Sequence, residues 1–281
     1  MSVRLVATDL DGTLLRSDGS VSPRSRAALE AAELAGLHIA FVMGRPPRWL
    51  DAVIEETGHL GVAVGANGAV LYDMATEELL SVHALGVDTQ RELAGLLRER
   101  FPSAYFAVEY GNSFACEPGY VHDWEINPMT DRRGNPIPAP AFGTLDEILV
   151  RPAIKVLIKD RVSDVDEFLG GAQDLIGSRA SITHSSSYGL LEISAPGVNK
   201  ATGLEELAAR YGVTSDEIVA IGDMPNDVPM LEWVGRSYAV ANAHPAAQAA
   251  ADSVIASNDD DAVAMVIESL LPDFSRVPDG L

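Results

Sequence analysis

Short apolar segments that favour β-structure alternate with helical segments along most of this chain, and this alternation limits the fold more than any other feature. The apolar segments include LVAT at 5–8, HIAFVM at 38–43 and IVAIG at 218–222. Strands that alternate with helices in this way form a parallel sheet with right-handed connections and helices on both faces. The sequence therefore predicts an α/β fold with a doubly wound, Rossmann-like parallel sheet as its core.

The ends of the first helix are marked by residues with known positional preferences. Ser22 suits an N-cap, Pro23 the first helical position, and Gly36 the residue after the helix. A second helix is predicted over 46–58, and a third strand with a glycine turn over 60–73. The beginning of the chain thus supplies three strands of the sheet.

The segment from residue 84 to residue 188 has a different character and interrupts the alternation. It combines aromatic alternating stretches with a loop rich in proline and glycine at 128–143. The earlier pattern resumes from about residue 198, and a length of 281 residues suits about two domains. We predict a discontinuous core over 1–83 and 189–281 and an inserted α+β cap domain over 84–188.

Composition and charge exclude several classes of function. The chain has 20 Lys and Arg against 41 Asp and Glu, which gives a net charge of −21. A chain this acidic is not expected to bind nucleic acid or an anionic membrane. No apolar stretch approaches the length of a membrane span, so we expect a cytoplasmic protein. Cys116 is the single cysteine, which leaves no intramolecular disulfide and no cysteine cluster for a metal.

Two carboxylates, Asp9 and Asp11, follow the first strand and precede a turn at Gly12. Ligands of open α/β sheets bind beyond the carboxyl ends of the strands, and residues two apart in a strand face the same side. Two converging carboxylates favour a cation, and Mg²⁺ accepts carboxylate oxygens together with waters and a substrate phosphate. The alternative is that the two acids only begin a turn.

A second polar cluster follows the strand IVAIG and is expected at the same edge of the sheet. Asp223, Asn226 and Asp227 either complete a metal site or cap the next helix. Lys200 stands at the start of a helix, where a lysine is unfavourable for the helix dipole. It either reaches a phosphate and offsets its charge, or is solvated.

The motifs DLDGT at 9–13, GR at 44–45, Lys200 and GDMPND at 222–227 together resemble the haloacid dehalogenase superfamily of phosphatases. More narrowly, the chain resembles the Cof-like branch with a large α+β cap, and the resemblance covers essentially the whole sequence. It implies an Mg²⁺-dependent phosphatase that acts through an aspartyl phosphate. Asp9 would be the nucleophile, Asp11 the general acid and base, and Lys200 the residue that steadies the nucleophile and the phosphoryl group.

The resemblance also implies the metal and phosphate ligands. Asp9, Asp223 and the main-chain carbonyl of Asp11 would surround Mg²⁺, while Asn226 and Asp227 would support phosphate or metal-bound water. A second phosphate-binding element would follow the second strand, because the backbone N–H groups of Gly44 and Arg45 can face an anion near a helix start.

One position departs from the family pattern. Where the family carries Thr or Ser before the GR pair, this chain has Met43, whose thioether donates no hydrogen bond. Loss of one donor to a charged transition state costs about 2–4 kcal/mol, or roughly 10²–10³ in rate, unless another group replaces it. We therefore expect a weakened phosphatase before an inactive one.

The predicted function is hydrolysis of small phosphorylated metabolites, with sugar phosphates as the class that the resemblance favours. Two alternatives remain open: a sensor that keeps the pocket without turnover, and a phosphotransferase or mutase that uses the same aspartate. The oligomeric state is not indicated. The cap is expected to close over the site, and its aromatic residues either stack a substrate ring or form the cap's own core. These residues are Tyr105, Phe106, Tyr110, Phe114, Tyr120 and Trp124.

Overall fold

A computed structural model describes residues 2–111, 113–120, 139–160, 164–184 and 189–271. The strands in chain order are β1 (Leu5–Thr8), β2 (His38–Val42), β3 (Val62–Gly65), β4 (Val70–Asp73), β5 (Glu78–Val82), β6 (Tyr105–Glu109), β7 (Phe114–Cys116), β8 (Ala141–Phe142), β9 (Lys155–Lys159), β10 (Ser181–Thr183), β11 (Leu190–Ser194), β12 (Ile218–Gly222), β13 (Arg236–Ala239) and β14 (Ser253–Val254). The helices are α1 (Pro23–Leu34), α2 (Leu50–Thr57), α3 (Val87–Arg100), α4 (Leu145–Ile148), α5 (Val165–Ile176), α6 (Lys200–Tyr211), α7 (Val228–Trp233), α8 (Pro245–Ala250) and α9 (Ala262–Leu270).

The larger of two sheets has eight strands in the order β14-β13-β12-β1-β2-β3-β4-β5. Neighbouring strands from β14 to β3 are parallel, and β4 and β5 add to the edge in antiparallel orientation. Strand β1 is buried along its whole length, as the continuous apolar run of a parallel strand requires. The predicted α/β fold with a parallel-sheet core is confirmed.

The first helix begins and ends as the sequence predicts. Ser22 caps α1 by accepting a hydrogen bond from the Ser25 N–H, and Pro23 is its first residue. Gly36 follows the helix in the left-handed backbone region, at a φ of +84°. The strand β5 was not predicted, because its residues are half-buried or exposed and carry no continuous apolar run.

The smaller sheet has six strands in the order β10-β11-β9-β6-β7-β8. Helices α3 and α5 cover one of its faces, where Phe106 lies in the apolar core. Phe114 and Tyr120 pack in a second apolar cluster with Leu157, so these aromatic residues belong to the core of this region. Trp124 and most of the predicted loop over 128–143 lie outside the described residues.

One strand departs from the predicted boundary at residue 189. Strand β11 pairs with β9 and β10 and so belongs to the smaller sheet, not to the larger one. The sequence could not assign it, because an apolar strand pairs with whichever sheet the rest of the chain brings to it. Among the described helices we find none with the length and apolar character that a bilayer crossing requires.

Candidate active site

Asp9 follows β1, and its backbone N–H donates to the carbonyl of Ile221 in β12 at 2.9 Å. The chain then turns through Leu10–Leu14, with Gly12 in the left-handed region at a φ of +74°. A Cβ at Gly12 would lie only 2.5 Å from a carboxylate oxygen of Asp223. Glycine is required here by the backbone conformation and by the close approach of the turn over 223–227, called the second acidic turn below.

Lys200 is completely buried and lies between two acidic side chains. It is the first residue of α6, whose N-cap is Asn199. Its Nζ lies 3.0 Å from Oδ1 of Asp9 and 2.5 Å from Oδ1 of Asp227. The alternative of a solvated lysine is therefore wrong, because the ammonium is paired with two buried carboxylates.

Three carboxylates converge next to this ammonium. Oxygens of Asp9, Asp223 and Asp227 all lie within 4.8 Å of one another, and the three residues are buried. Thr13 Oγ1 donates to Oδ1 of Asp223 at 3.0 Å, which links the two acidic turns directly. The structure thus brings together the clusters that the sequence places after two separate strands.

Asp227 is the carboxylate with the most protein partners. Its Oδ1 is paired with Lys200, and its Oδ2 accepts the backbone N–H groups of Asp223 at 3.0 Å and Met224 at 2.9 Å. A metal ion would have to compete with these donors for either oxygen. Direct metal ligation by Asp227 therefore stays a prediction, and the described contacts favour a role in holding Lys200.

The electrostatics of the cluster favour a cation. Burial raises the pKa of Asp9 well above its ordinary value, although the Lys200 ammonium opposes the rise. Burial and the Asp227 carboxylate raise the pKa of Asp223 to about 6. Burial disfavours the charged form of Lys200, but Asp227 and Asp9 outweigh it and raise its pKa. A hard divalent cation would relieve this excess of negative charge, so the oxygen donors fit a metal ion such as Mg²⁺.

Asp11 and Arg45 form an ion pair at the open side of the site. Nε of Arg45 donates to Oδ2 of Asp11 at 2.8 Å, and a terminal guanidinium nitrogen contacts the other oxygen. The Asp11 side chain is 59% exposed, so a leaving group or a water molecule can reach it. The Arg45 side chain is engaged with this carboxylate, and its backbone N–H stays the candidate phosphate donor.

Asn226 is buried beside Asn67, a residue of the left-handed turn over 66–68. Its Nδ2 donates to Oδ1 of Asn67 at 3.1 Å. Its own Oδ1 is buried and has no hydrogen-bond partner among the described residues. Buried acceptors are normally satisfied, so this oxygen suits a donor such as a metal-bound water.

The smaller sheet contributes two buried ion pairs next to the loop after β2. Lys155 of β9 donates to Oε2 of Glu192 at 3.0 Å and to the backbone carbonyl of Gly44 at 2.8 Å. Arg48 forms a bidentate pair with Glu109 of β6. Burial raises the pKa of Glu109, and the Arg48 guanidinium opposes that rise. The two sheets therefore meet through charged contacts beside the candidate site.

A family model of haloacid dehalogenase-like hydrolases matches residues 6–267. The chain belongs to this family. Curated relatives of this hydrolase include YxeH of Bacillus subtilis (strain 168), which is 29% identical over 276 residues that cover 95% of this chain and 98% of that protein. A solved structure from Streptococcus mutans UA159 is 25% identical, with a TM-score of 0.80, and covers 95% of this chain and 98% of its own.

Two further relatives are named for their substrates. The 5-amino-6-(5-phospho-D-ribitylamino)uracil phosphatase YitU of Bacillus subtilis (strain 168) is 26% identical over 268 residues, covering 94% of this chain and 96% of that protein. The pyridoxal phosphate phosphatase YbhA of Escherichia coli (strain K12) is 27% identical over 281 residues, which cover 96% of this chain and 100% of that protein. The family assignment and these relatives support phosphatase activity for this hydrolase.

Several polar residues of the hydrolase were missed or given no role from the sequence. They are Thr13, Asn67, Lys155 and Glu192. The signal for Lys155 was its strand, AIKVLIKD, in which Lys155 and Lys159 are four residues apart and therefore lie on the same face of a β-strand. Met43 is fully buried and packs in the core of the larger sheet, so it offers no donor to the site.

Proposed function

We propose that this hydrolase is an Mg²⁺-dependent phosphatase that cleaves phosphate monoesters of small metabolites through a covalent intermediate on Asp9. The observation that carries the proposal is the pairing of completely buried Lys200 with Asp9 and Asp227, beside the carboxylate of Asp223. A buried lysine that holds one carboxylate oxygen fixes the direction of the other. A site that only bound a ligand would have little use for an oriented carboxylate.

In the first half-reaction, a carboxylate oxygen of Asp9 attacks the substrate phosphorus while the bond from phosphorus to the ester oxygen breaks. Asp11 gives its proton to the departing ester oxygen, which leaves as an alcohol. Lys200 steadies Asp9 and offsets the negative charge that gathers on the phosphoryl oxygens. The exposed position of Asp11 supports this role, because the leaving group must be reached from the open side of the site.

In the second half-reaction, water attacks the phosphorus of the aspartyl phosphate. Asp11 takes the proton from this water, and the bond between phosphorus and Asp9 breaks to release inorganic phosphate. One side chain thus serves as acid and then as base. The Arg45 guanidinium contacts both oxygens of the Asp11 carboxylate, and it would release one of them when Asp11 carries its proton.

Asp9, Asp223 and the main-chain carbonyl of Asp11 would hold Mg²⁺, with Asn226 and Asp227 in support. When bound, the ion reduces the repulsion between the Asp9 carboxylate and the phosphate dianion. Thr13 orients Asp223 through its 3.0 Å hydrogen bond, and Gly12 permits the close approach of the two turns.

Sugar and polyol phosphates are the substrate class that we favour. The relative YitU is named for a compound with a phosphorylated ribityl chain, and YbhA for pyridoxal phosphate. Both are small organic phosphates. An acidic chain needs a local cation to bind such an anion, and Lys200, between buried carboxylates at the proposed catalytic edge, supplies one. We expect the region of the smaller sheet to determine which of these phosphate esters is bound.

The test is release of inorganic phosphate from sugar phosphates, pyridoxal phosphate and an aryl phosphate, with and without Mg²⁺. We expect Mg²⁺-dependent release that Asp9→Asn abolishes while the variant stays folded. Transfer of phosphate to an added sugar hydroxyl instead of water would favour the transferase alternative. Binding of Mg²⁺ and phosphate without any turnover would contradict the proposal and favour a sensor.

A further inference from the structure

The loop after β2 has three successive backbone carbonyls that are each held by a donor. The Met43 carbonyl accepts the Asn67 N–H at 2.9 Å, and the Arg45 carbonyl accepts the Ala66 N–H at 3.0 Å. The carbonyl between them, that of Gly44, accepts the ammonium of Lys155 at 2.8 Å. Two donors come from the adjacent turn of the larger sheet, whereas the third is a side chain of the smaller sheet.

These contacts decide where the N–H groups of the same peptides point. In a trans peptide the C=O and the N–H lie on opposite sides, so holding the Met43 and Gly44 carbonyls directs the N–H groups of Gly44 and Arg45 the other way. Neither N–H has a hydrogen-bond acceptor among the described residues. Consecutive N–H groups held in this manner form a small anion site.

The turn that holds the outer two carbonyls is constrained by its backbone conformation and by a close neighbour. Ala66, Asn67 and Gly68 all have left-handed backbone conformations, with φ values of 51°, 57° and 97°. A Cβ at Gly68 would lie 2.0 Å from the carbonyl oxygen of Asn199, the N-cap of α6. The carbonyl of the peptide between Gly44 and Arg45 is held instead by one side chain, that of Lys155. Glycine at position 44 makes this peptide the easiest of the three to reorient.

Lys155 is well placed to hold that peptide. Its side chain is only 3% exposed, and Oε2 of Glu192 fixes the ammonium from the other side at 3.0 Å. Glu192 also accepts the side-chain amide of Asn67, whose Oδ1 accepts from Asn226. A continuous set of hydrogen bonds therefore runs from the second acidic turn through the smaller sheet to the loop after β2.

We propose that Lys155 is a positioning residue for phosphate binding, which acts by fixing the peptide between Gly44 and Arg45 so that the Arg45 N–H faces the phosphoryl group. This inference rests on the proposed function and assigns the smaller sheet a part in the chemistry. With a thioether at position 43, the backbone N–H groups are the donors that this loop offers. Their orientation then matters more than it would beside a hydroxyl side chain.

The test compares Lys155→Met with a matched control, Arg48→Met. Each removes the cation of one buried ion pair that involves a carboxylate of the smaller sheet, but only Lys155 contacts the Gly44 carbonyl. Affinity for inorganic phosphate is measured by calorimetry with Mg²⁺ present, and orthovanadate inhibition and kcat and KM are measured alongside.

For Lys155→Met we expect a loss of about 10- to 100-fold in phosphate affinity and in kcat/KM, below the roughly 10²–10³-fold cost of removing a donor, because the Arg45 N–H is misdirected but still present. Lys155→Gln, which keeps an N–H donor, should recover part of the loss. Arg48→Met should change phosphate affinity by less than about threefold, within the scatter expected for residues without direct contact. Unchanged phosphate affinity in Lys155→Met, or an equal loss in Arg48→Met, would overturn the inference.

A measurement on the unmodified protein keeps the inference testable if Lys155→Met does not fold. The amide resonances of Gly44 and Arg45 should shift on addition of inorganic phosphate, and an Arg45 amide that does not respond would overturn it. Failure of the proposed function is a separate result: the unmodified protein would then release no phosphate from any substrate, whatever its affinity for inorganic phosphate.

Discussion

Lys200 and Lys155 are both buried lysines paired with carboxylates, but they lie in regions that solve different problems. Lys200 begins a helix at the edge of the larger sheet, where loops after separate parallel strands converge. Lys155 lies within a strand of the smaller sheet and contacts a backbone carbonyl across the boundary between the sheets. We propose that the first stabilises reacting charge, whereas the second orients a peptide of a phosphate-binding loop.

The largest expected difference is between Lys200→Met and Lys155→Met. Loss of Lys200 leaves Asp9 and Asp227 without their cation, so we expect turnover to fall by at least about 10³-fold. The free energy of unfolding should also fall by about 3–5 kcal/mol, as for one broken partner of a buried ion pair. Steady-state kinetics and urea unfolding measure both effects. Equal losses in the two variants would contradict the different roles assigned to Lys200 and Lys155.

The counter-ions of the two lysines give a second comparison between the regions around Lys200 and Lys155. Asp227→Asn should lower the free energy of unfolding by about 1–3 kcal/mol, because the new amide N–H₂ cannot accept from all the donors that the carboxylate serves. Glu192→Gln should cost more, about 3–5 kcal/mol, because it removes the carboxylate that pairs with the buried Lys155 ammonium, whereas Lys200 keeps Asp9 in Asp227→Asn. Chemical denaturation of the two variants in parallel gives the comparison, and the reverse order would contradict it.

Two glycines, one in the turn after β1 and one in the loop after β2, allow the two regions to be compared at the backbone. Gly12→Ala forces a left-handed alanine, at about 1–2 kcal/mol, and its Cβ would meet Asp223 Oδ2 at 2.5 Å, so Mg²⁺ affinity should also fall. The nearest neighbour of a Cβ in Gly44→Ala would be the side-chain oxygen of Asn67 at 3.2 Å, so this substitution should destabilise less. Thermal unfolding with and without Mg²⁺ measures both. A more stable Gly12→Ala protein would show that this turn is not constrained as described.

The smallest effect concerns pH. The raised pKa of Asp223, about 6 against an ordinary 3.8, means that the folded state keeps its proton longer than the unfolded state. This carboxyl therefore lowers the stability of the metal-free protein as pH rises through about 4 to 6, and Asp223→Asn removes that loss. The Tm of the variant minus that of the parent should be larger at about pH 7.5 than at about pH 5. An equal difference at both values would contradict the assignment.

The parallel sheet and its catalytic edge could be predicted because their signals are local. An apolar run ends in DLDGT or GDMPND, and the parallel topology then brings the two turns together whatever lies between them. Lys155, Glu192 and Asn67 could not be assigned in this way. Their contacts depend on how the smaller sheet sits against the loop after β2, and the pairing of β11 with β9 is itself non-local.

The same reason explains why the side-chain contact of Arg45 could not be predicted. The sequence places this residue beside an anion site, but only the fold brings its guanidinium onto the carboxylate of Asp11. For Lys200, isolated residue preferences favoured solvent, and the combination of motifs was needed to predict a position in the site; its complete burial was not predicted. Burial of a charged residue follows from the partners that the fold supplies, and a single position in the sequence does not reveal them.

The most direct test of the account is to trap the covalent intermediate. A phosphorylated substrate is mixed with the enzyme and Mg²⁺, the reaction is stopped in acid within the first turnover, and the peptides are examined by mass spectrometry. The account predicts a phosphoryl group on Asp9 that is absent from Asp9→Asn. Turnover with no phosphoryl group on Asp9, or with one on another residue, would contradict it.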